Sequence, residues 1–69
     1  MQVTAELTGN LWKLVAREGQ HVQAEETLMI LESMKMEIPV AAPKAGRVTR
    51  IHVKEGDTVQ EGQLLAEVD

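Results

Sequence analysis

A chain of 69 residues is long enough for one small domain but not for a deep enzyme cleft. Its formal charge of −4, with one Trp and no Phe or Tyr, excludes the basic, aromatic-rich surface that nucleic-acid binding requires. The absence of Cys excludes disulfides and thiolate metal sites, and no membrane span or signal peptide is present, so the default expectation is a cytoplasmic protein.

Short runs of β-branched and aliphatic residues, separated by glycine or proline, predict an all-β fold. In chain order, strands are predicted at Val3 to Leu7, Leu11 to Ala16, Gln20 to Val22, Thr27 to Leu31, Glu37 to Ala41, Val48 to Val53, Thr58 to Val59 and Leu64 to Val68. Turns are predicted at Thr8-Gly9-Asn10, Glu18-Gly19, around Lys35, Lys44-Ala45-Gly46, Glu55-Gly56-Asp57 and Glu61-Gly62.

The sequence repeats itself at an offset of 37 residues, which places Gly46 on Gly9 and Gly56 on Gly19. The two repeats, residues 3–32 and 40–69, are each too short to bury an apolar face alone. The repeat therefore predicts one domain, residues 1–69, made of two halves with quasi-two-fold symmetry. Residues 33–39 form the connecting hairpin, and the symmetry places it at the opposite end of the domain from both termini.

An irregular spacing of apolar residues recurs in both halves. Leu11 and Leu14 are three positions apart, as are Val48 and Ile51, and strict alternation would place such pairs on opposite faces of a strand. A bulge is therefore predicted in each half. Because bulges let short strands bend from one sheet to the other, the expected fold is a flattened barrel (barrel-sandwich hybrid) of two small antiparallel sheets.

The segment Glu32-Ser33-Met34-Lys35-Met36 leads into the connecting hairpin, and it resembles the attachment motif of biotinyl domains, typically Glu-Ala-Met-Lys-Met. The resemblance extends over essentially the whole chain. Further residues that match the family pattern are Ala42-Pro43, Gly46, Val48, Val53, Gly56-Asp57, Val59, Gly62 and Leu64-Leu65. The short link from Ala16 to Val22 resembles the members that lack the protruding thumb of certain bacterial carriers.

The resemblance implies a carrier protein rather than an enzyme. Lys35 would be biotinylated by a biotin protein ligase, and the biotin arm would shuttle carboxylate between biotin carboxylase and carboxyltransferase sites. Met34 and Met36 would be flexible apolar recognition elements, and Glu32 would help to direct the domain to the biotin ligase. The carrier is expected to be a monomer because closed sheets expose few free edges.

Three other interpretations stay open from the residues. From spacing alone, Met34 and Met36 also fit a strand with two core methionines and Lys35 outside. The related lipoyl domains, usually with Asp-Lys-Ala at the site, raise lipoate from a lipoyl ligase as an alternative or second modification of Lys35. The third interpretation is an unmodified interaction module with the same fold.

No catalytic or metal-binding residue is predicted, because the chain has no nucleophile beside a base and no cluster of metal ligands. His21 and His52 are interpreted as surface side chains. Trp12 is expected to pack against the barrel, and Lys13, Lys44 and Lys54 are expected to be ordinary solvated lysines.

Overall fold

The computed structural model describes residues 1–69 as eight β-strands joined by turns and loops. The strands are β1 (Gln2–Thr4), β2 (Gly9–Leu14), β3 (His21–Val22), β4 (Thr27–Ser33), β5 (Met36–Ala41), β6 (Gly46–Ile51), β7 (Thr58–Val59) and β8 (Leu64–Val68). They correspond one to one to the predicted strands, with boundaries that differ by a few residues. No helix in this fold is long and apolar enough to cross a membrane.

The strands form two four-stranded sheets with the orders β1-β8-β6-β3 and β5-β4-β2-β7, and every pairing is antiparallel. Each sheet takes two strands from residues 3–32 and two from residues 40–69, except that β1 begins at Gln2, β4 ends at Ser33 and β5 begins at Met36. The two halves therefore interleave instead of folding side by side. This arrangement confirms the all-β barrel of two small antiparallel sheets.

The core lies between the two sheets and follows the 37-residue offset of the sequence. Its buried residues form symmetry pairs, with the exception of Val3, whose mate Val40 is half buried. The pairs are Ala5 and Ala42, Leu11 and Val48, Ala16 and Val53, Val22 and Val59, Leu28 and Leu65, Met29 and Ala66, and Leu31 and Val68. The interior is wholly apolar, so burial of these side chains is the main force that holds the halves together.

Hydrogen bonds link the halves reciprocally. The backbone N–H of Ile51 donates to Glu18 Oε2 at 2.9 Å, and that of Leu14 donates to Glu55 Oε2 at 2.9 Å. Glu18 and Glu55 are symmetry mates, as are Leu14 and Ile51. Each half thus supplies a carboxylate that satisfies a backbone donor at the end of a strand in the other half.

The bulges predicted in the two halves are present. The pairing of β2 with β4 shifts between Leu11 and Lys13, and that of β6 with β8 shifts between Val48 and Arg50. In each case one residue of the strand is left without a directly opposite partner. The extra residue lets Leu11 and Leu14, three positions apart, both turn toward the interior.

The predicted turn assignments of Gly9 and Gly46 are wrong, because each glycine begins a strand. A Cβ at Gly9 would lie 2.7 Å from the carbonyl oxygen of Glu32, and a Cβ at Gly46 would overlap the carbonyl oxygen of Asp69. Both glycines therefore permit a close approach of two backbones rather than a tight turn.

Candidate functional site

The hairpin that joins β4 to β5 carries the predicted attachment lysine. Ser33 pairs directly with Met36, so Met34 and Lys35 alone form the loop. Both loop residues have positive φ, 52° for Met34 and 65° for Lys35, which is the pattern of a two-residue type I′ turn. Such a turn matches the twist of the two strands and holds the lysine at the extreme tip of the hairpin.

This turn is built from residues that do not favour it. Type I′ turns prefer Asn-Gly or similar pairs, because a side chain at positive φ costs roughly 1–2 kcal/mol per residue. Met34 and Lys35 have neither the freedom of Gly nor the short polar side chain of Asn. Their presence in this conformation indicates that something other than stability accounts for these residues.

The side chains around the tip are exposed. Met34 is 92% exposed and Met36 63%, and Lys35 is also exposed. By contrast, Met29 in the middle of β4 is completely buried. The interpretation of Met34 and Met36 as core methionines is therefore wrong, because one of them lies in the turn and the other beside it, beyond the end of the core.

Charges near the tip are unpaired. Lys35 takes part in no ion pair, since the one contact of this kind in the molecule is the hydrogen bond between His52 Nε2 and Glu67 Oε2 at 2.8 Å. Glu32 lies directly opposite Glu37, and both are exposed. Like charges directly opposite each other disfavour the hairpin, so this acidic pair is a second local feature that stability does not explain.

Glu37 is the residue of this region that the sequence analysis missed. Its position becomes clear only from the register of the hairpin, because a two-residue turn at Met34 and Lys35 places Glu32 opposite Glu37. The motif spacing alone does not show that the two carboxylates face each other. A two-residue type I′ turn assumed at the motif would have fixed the register of the hairpin and so predicted that Glu37 lies opposite Glu32.

The termini lie in the other sheet. β1 pairs with β8, and the amino group of Met1 donates a hydrogen bond to the carbonyl oxygen of Val68. Lys35 joins β4 and β5, which belong to the second sheet. The hairpin and the termini therefore belong to different sheets, and the location of Lys35 at the opposite end of the domain stays a prediction.

The remaining candidate residues lie elsewhere. Trp12 is 49% exposed, so it lies against the barrel surface with about half of its surface covered and the other half open to solvent. It is the unpaired residue of the β2 bulge, and Leu11 and Leu14 on either side of it turn inward. The other side chains considered as candidates are all exposed and lie away from the hairpin turn: His21, His52, Lys13, Lys44 and Lys54.

A groove of about 320 Å³ runs between the edge strands β1 and β5, with Val3, Leu31, Ile38 and Val40 among its lining residues. Lys35 does not line it. The site is thus a projecting tip and not a cleft, and its geometry fits a side chain that is offered to another protein.

Comparison with known proteins gives a consistent result. The profile of the biotin/lipoyl family, described as "Biotin-requiring enzyme", matches residues 1–68. The chain is 44% identical over 68 residues to the "Biotin/lipoyl attachment protein" of Bacillus subtilis, which covers 99% of this chain and 93% of that protein. It is 44% identical to the "Biotinylated protein TB7.3 homolog" of Mycobacterium leprae, over 93% of this chain and 90% of that protein.

A solved structure shows the same fold inside a much longer protein. Urea carboxylase of Kluyveromyces lactis matches with a TM-score of 0.94 and 42% identity, over 100% of this chain and 6% of that one. The family profile and the relatives of similar length cover nearly the whole chain. The chain therefore belongs to the biotin/lipoyl attachment family, and it is a carrier domain rather than a catalyst.

Proposed function

We propose that this domain carries biotin joined by an amide bond to Nζ of Lys35. One observation carries the choice of residue: Lys35 alone among the lysines occupies the two-residue turn of a hairpin, where its amine is exposed and unpaired. Lys13 lies within β2, and Lys44 and Lys54 lie in loops between strands. None of these three has an exposed methionine on each side.

The turn suits a lysine that must enter the active site of another protein. Both of its central residues are fixed at defined φ values, so the ligase meets one backbone conformation instead of ordering a loose loop. Nζ, after losing a proton, attacks the acyl carbon of ligase-activated biotin and displaces AMP, and one amide bond forms. The residues present fit this step, because no carboxylate of the chain holds the Lys35 amine.

The attached biotin supplies a ureido ring that carries a carboxyl group. The contribution of the protein is to hold the arm at one point of a rigid domain, which raises the local concentration of the ring near two successive active sites. The match to urea carboxylase supports a carboxylase system as the setting. We propose that the specific partners are a biotin protein ligase, a biotin carboxylase and a carboxyltransferase.

Lipoate on the same lysine is the second candidate. It is supported by the relative from Bacillus subtilis, whose name covers both biotin and lipoyl attachment. A lipoyl ligase would then be an additional partner. Glu32, Met34 and Met36 as recognition elements, the monomeric state and the cytoplasmic location stay predictions.

Intact mass spectrometry after co-expression with a biotin ligase, and separately with a lipoyl ligase, tests the proposal. We expect one biotin adduct, mapped by peptide analysis to Lys35. Lys35→Arg should abolish the adduct without unfolding the domain, while Lys44→Arg, the matched control at an exposed loop lysine, should leave it intact. An adduct that persists on the Lys35→Arg variant would contradict the assignment, and a lipoyl adduct alone would favour the second candidate.

A further inference from the structure

The outer face of the sheet that carries Lys35 has a row of apolar side chains. Ile30 in β4 pairs directly with Pro39 in β5. On its other side, Ile30 pairs directly with the exposed Lys13 of β2, and the half-exposed Trp12 of the bulge lies next to Lys13. We call Trp12, Ile30 and Pro39 the apolar row; they cross three neighbouring strands on the side of the sheet away from the core.

The other sheet has no such row, although it is built on the same plan. The symmetry mates of Trp12, Ile30 and Pro39 are Thr49, Glu67 and Gln2. Glu67 pairs with Gln2, as Ile30 pairs with Pro39. The fold therefore tolerates polar residues at all three places, and the apolar row is not a requirement of the architecture.

An acidic pair lies between the apolar row and the turn. Glu32 and Glu37 are each two residues nearer to Lys35 than Ile30 and Pro39 are, and alternation along the strands places them on the same outer face. Neither carboxylate has an ion-pair partner within the molecule. A surface that complements this face would be apolar, with basic side chains opposite the carboxylates.

We propose that the apolar row and the acidic pair form the docking face for the ligase that modifies Lys35, and this inference depends on the proposed function. An unmodified lysine has only a four-carbon stem, so the face beside the turn must approach the ligase surface when the amine reaches the reacting carbon. A modified arm is much longer, which leaves later partners free to work without pressing on this face. The ligase is therefore the partner that fits the observation.

The distances agree with one interface. Ile30 is five residues from Lys35, which corresponds to about 16 Å at roughly 3.3 Å per residue. A standard interface covers roughly 800 Å² on each partner, and a circular patch of that area has a radius of about 16 Å. A ligase centred near the turn would thus cover the acidic pair and reach the apolar row.

The kinetics of biotin transfer test the docking face. The variants are Trp12→Thr and Ile30→Thr, and Trp12→Thr introduces the residue found at the symmetry mate. We expect KM for the domain to rise about tenfold for Trp12→Thr, with kcat unchanged, because the reacting groups are untouched. The matched control is Val15→Thr, since Val15 is also 49% exposed but lies beyond the end of β2, outside the apolar row.

The outcomes separate this inference from the proposed function. If wild-type protein is not biotinylated at all, the proposed function is wrong. If the wild type is biotinylated and both row variants keep KM within about twofold of Val15→Thr, the docking face is wrong and the carrier role stands. A thermal unfolding curve shows whether each variant is folded. If Ile30→Thr is unfolded, the KM of Trp12→Thr alone tests the docking face.

Discussion

The two halves of this domain share a backbone plan and a set of buried positions, although most of their side chains differ. The buried core positions and the reciprocal carboxylate bonds of Glu18 and Glu55 are equivalent in the two halves. The differences include the strained turn at Met34 and Lys35, which has no counterpart because its symmetry mate is the gap between the termini. Shared residues therefore report on folding, while the unshared residues around Lys35 report on function.

The methionines illustrate this division. Met29 is buried and its mate is Ala66, which is also buried, so this position belongs to the core in both halves. Met34 and Met36 are exposed, and Met36 is the first residue of β5. The same residue type thus serves packing in one place and recognition, as we propose, in another.

The largest expected effect comes from equivalent core positions. Leu28 and Leu65 are symmetry mates and both are almost completely buried. We expect Leu28→Ala and Leu65→Ala each to lower the free energy of unfolding by about 2–5 kcal/mol, because each leaves a cavity in the same kind of site. Urea denaturation of the two variants measures this. A loss confined to one of them would show that the halves are not energetically equivalent.

A smaller effect is expected at the turn that only one half contains. Replacing Met34-Lys35 by Asn-Gly should raise the free energy of unfolding by about 1–2 kcal/mol, because both residues then suit positive φ. The same double variant should accept no biotin. Urea denaturation measures the change in stability, and intact mass spectrometry measures biotin attachment. The control is Lys35→Arg, which should lose attachment and keep the stability of the wild type. Lower stability in the Asn-Gly variant would contradict the assigned strain.

The smallest effect is expected at two symmetry-related turns that have different residues at the position with positive φ. Glu25 has φ 67°, and its mate Gly62 has φ 86°. Glu25→Gly should raise the free energy of unfolding by about 0.5–1 kcal/mol, because the strain energy that is relieved exceeds the entropic cost of ordering a glycine. Thermal denaturation measures the shift.

The mate supplies the reverse experiment. A Cβ at Gly62 would have no atom within 4 Å, so Gly62→Ala tests the backbone alone. It should lower the free energy of unfolding by about 1 kcal/mol. If Glu25→Gly and Gly62→Ala shift stability in the same direction, the two turns are not equivalent.

The sequence was sufficient for much of the fold. The 37-residue offset and the alternation of apolar residues predicted the strands and both bulges. These features depend on repeated positions, where one half supports the interpretation of the other. The resemblance to biotinyl domains added the carrier role, which spacing alone did not establish.

Other features depend on how segments distant in sequence meet. Gly9 and Gly46 looked like turn glycines, because the carbonyl groups of Glu32 and Asp69 that approach them are remote along the chain. The exposure of Trp12 followed from which residue the bulge leaves unpaired. The opposition of Glu32 and Glu37 required the register of the hairpin. The periodicity of apolar residues along one strand gives no information on which residues of distant strands lie opposite or close to each other.

The pairing of β1 with β8 determines how the domain responds to mechanical load. Both chain ends lie at the same end of this antiparallel pair, where the Met1 amine bonds to Val68. Tension applied through the ends would therefore break the backbone bonds of β1 and β8 one after another, as in a zipper. The hairpin of Lys35, in the other sheet, would keep its shape while the ends were pulled apart.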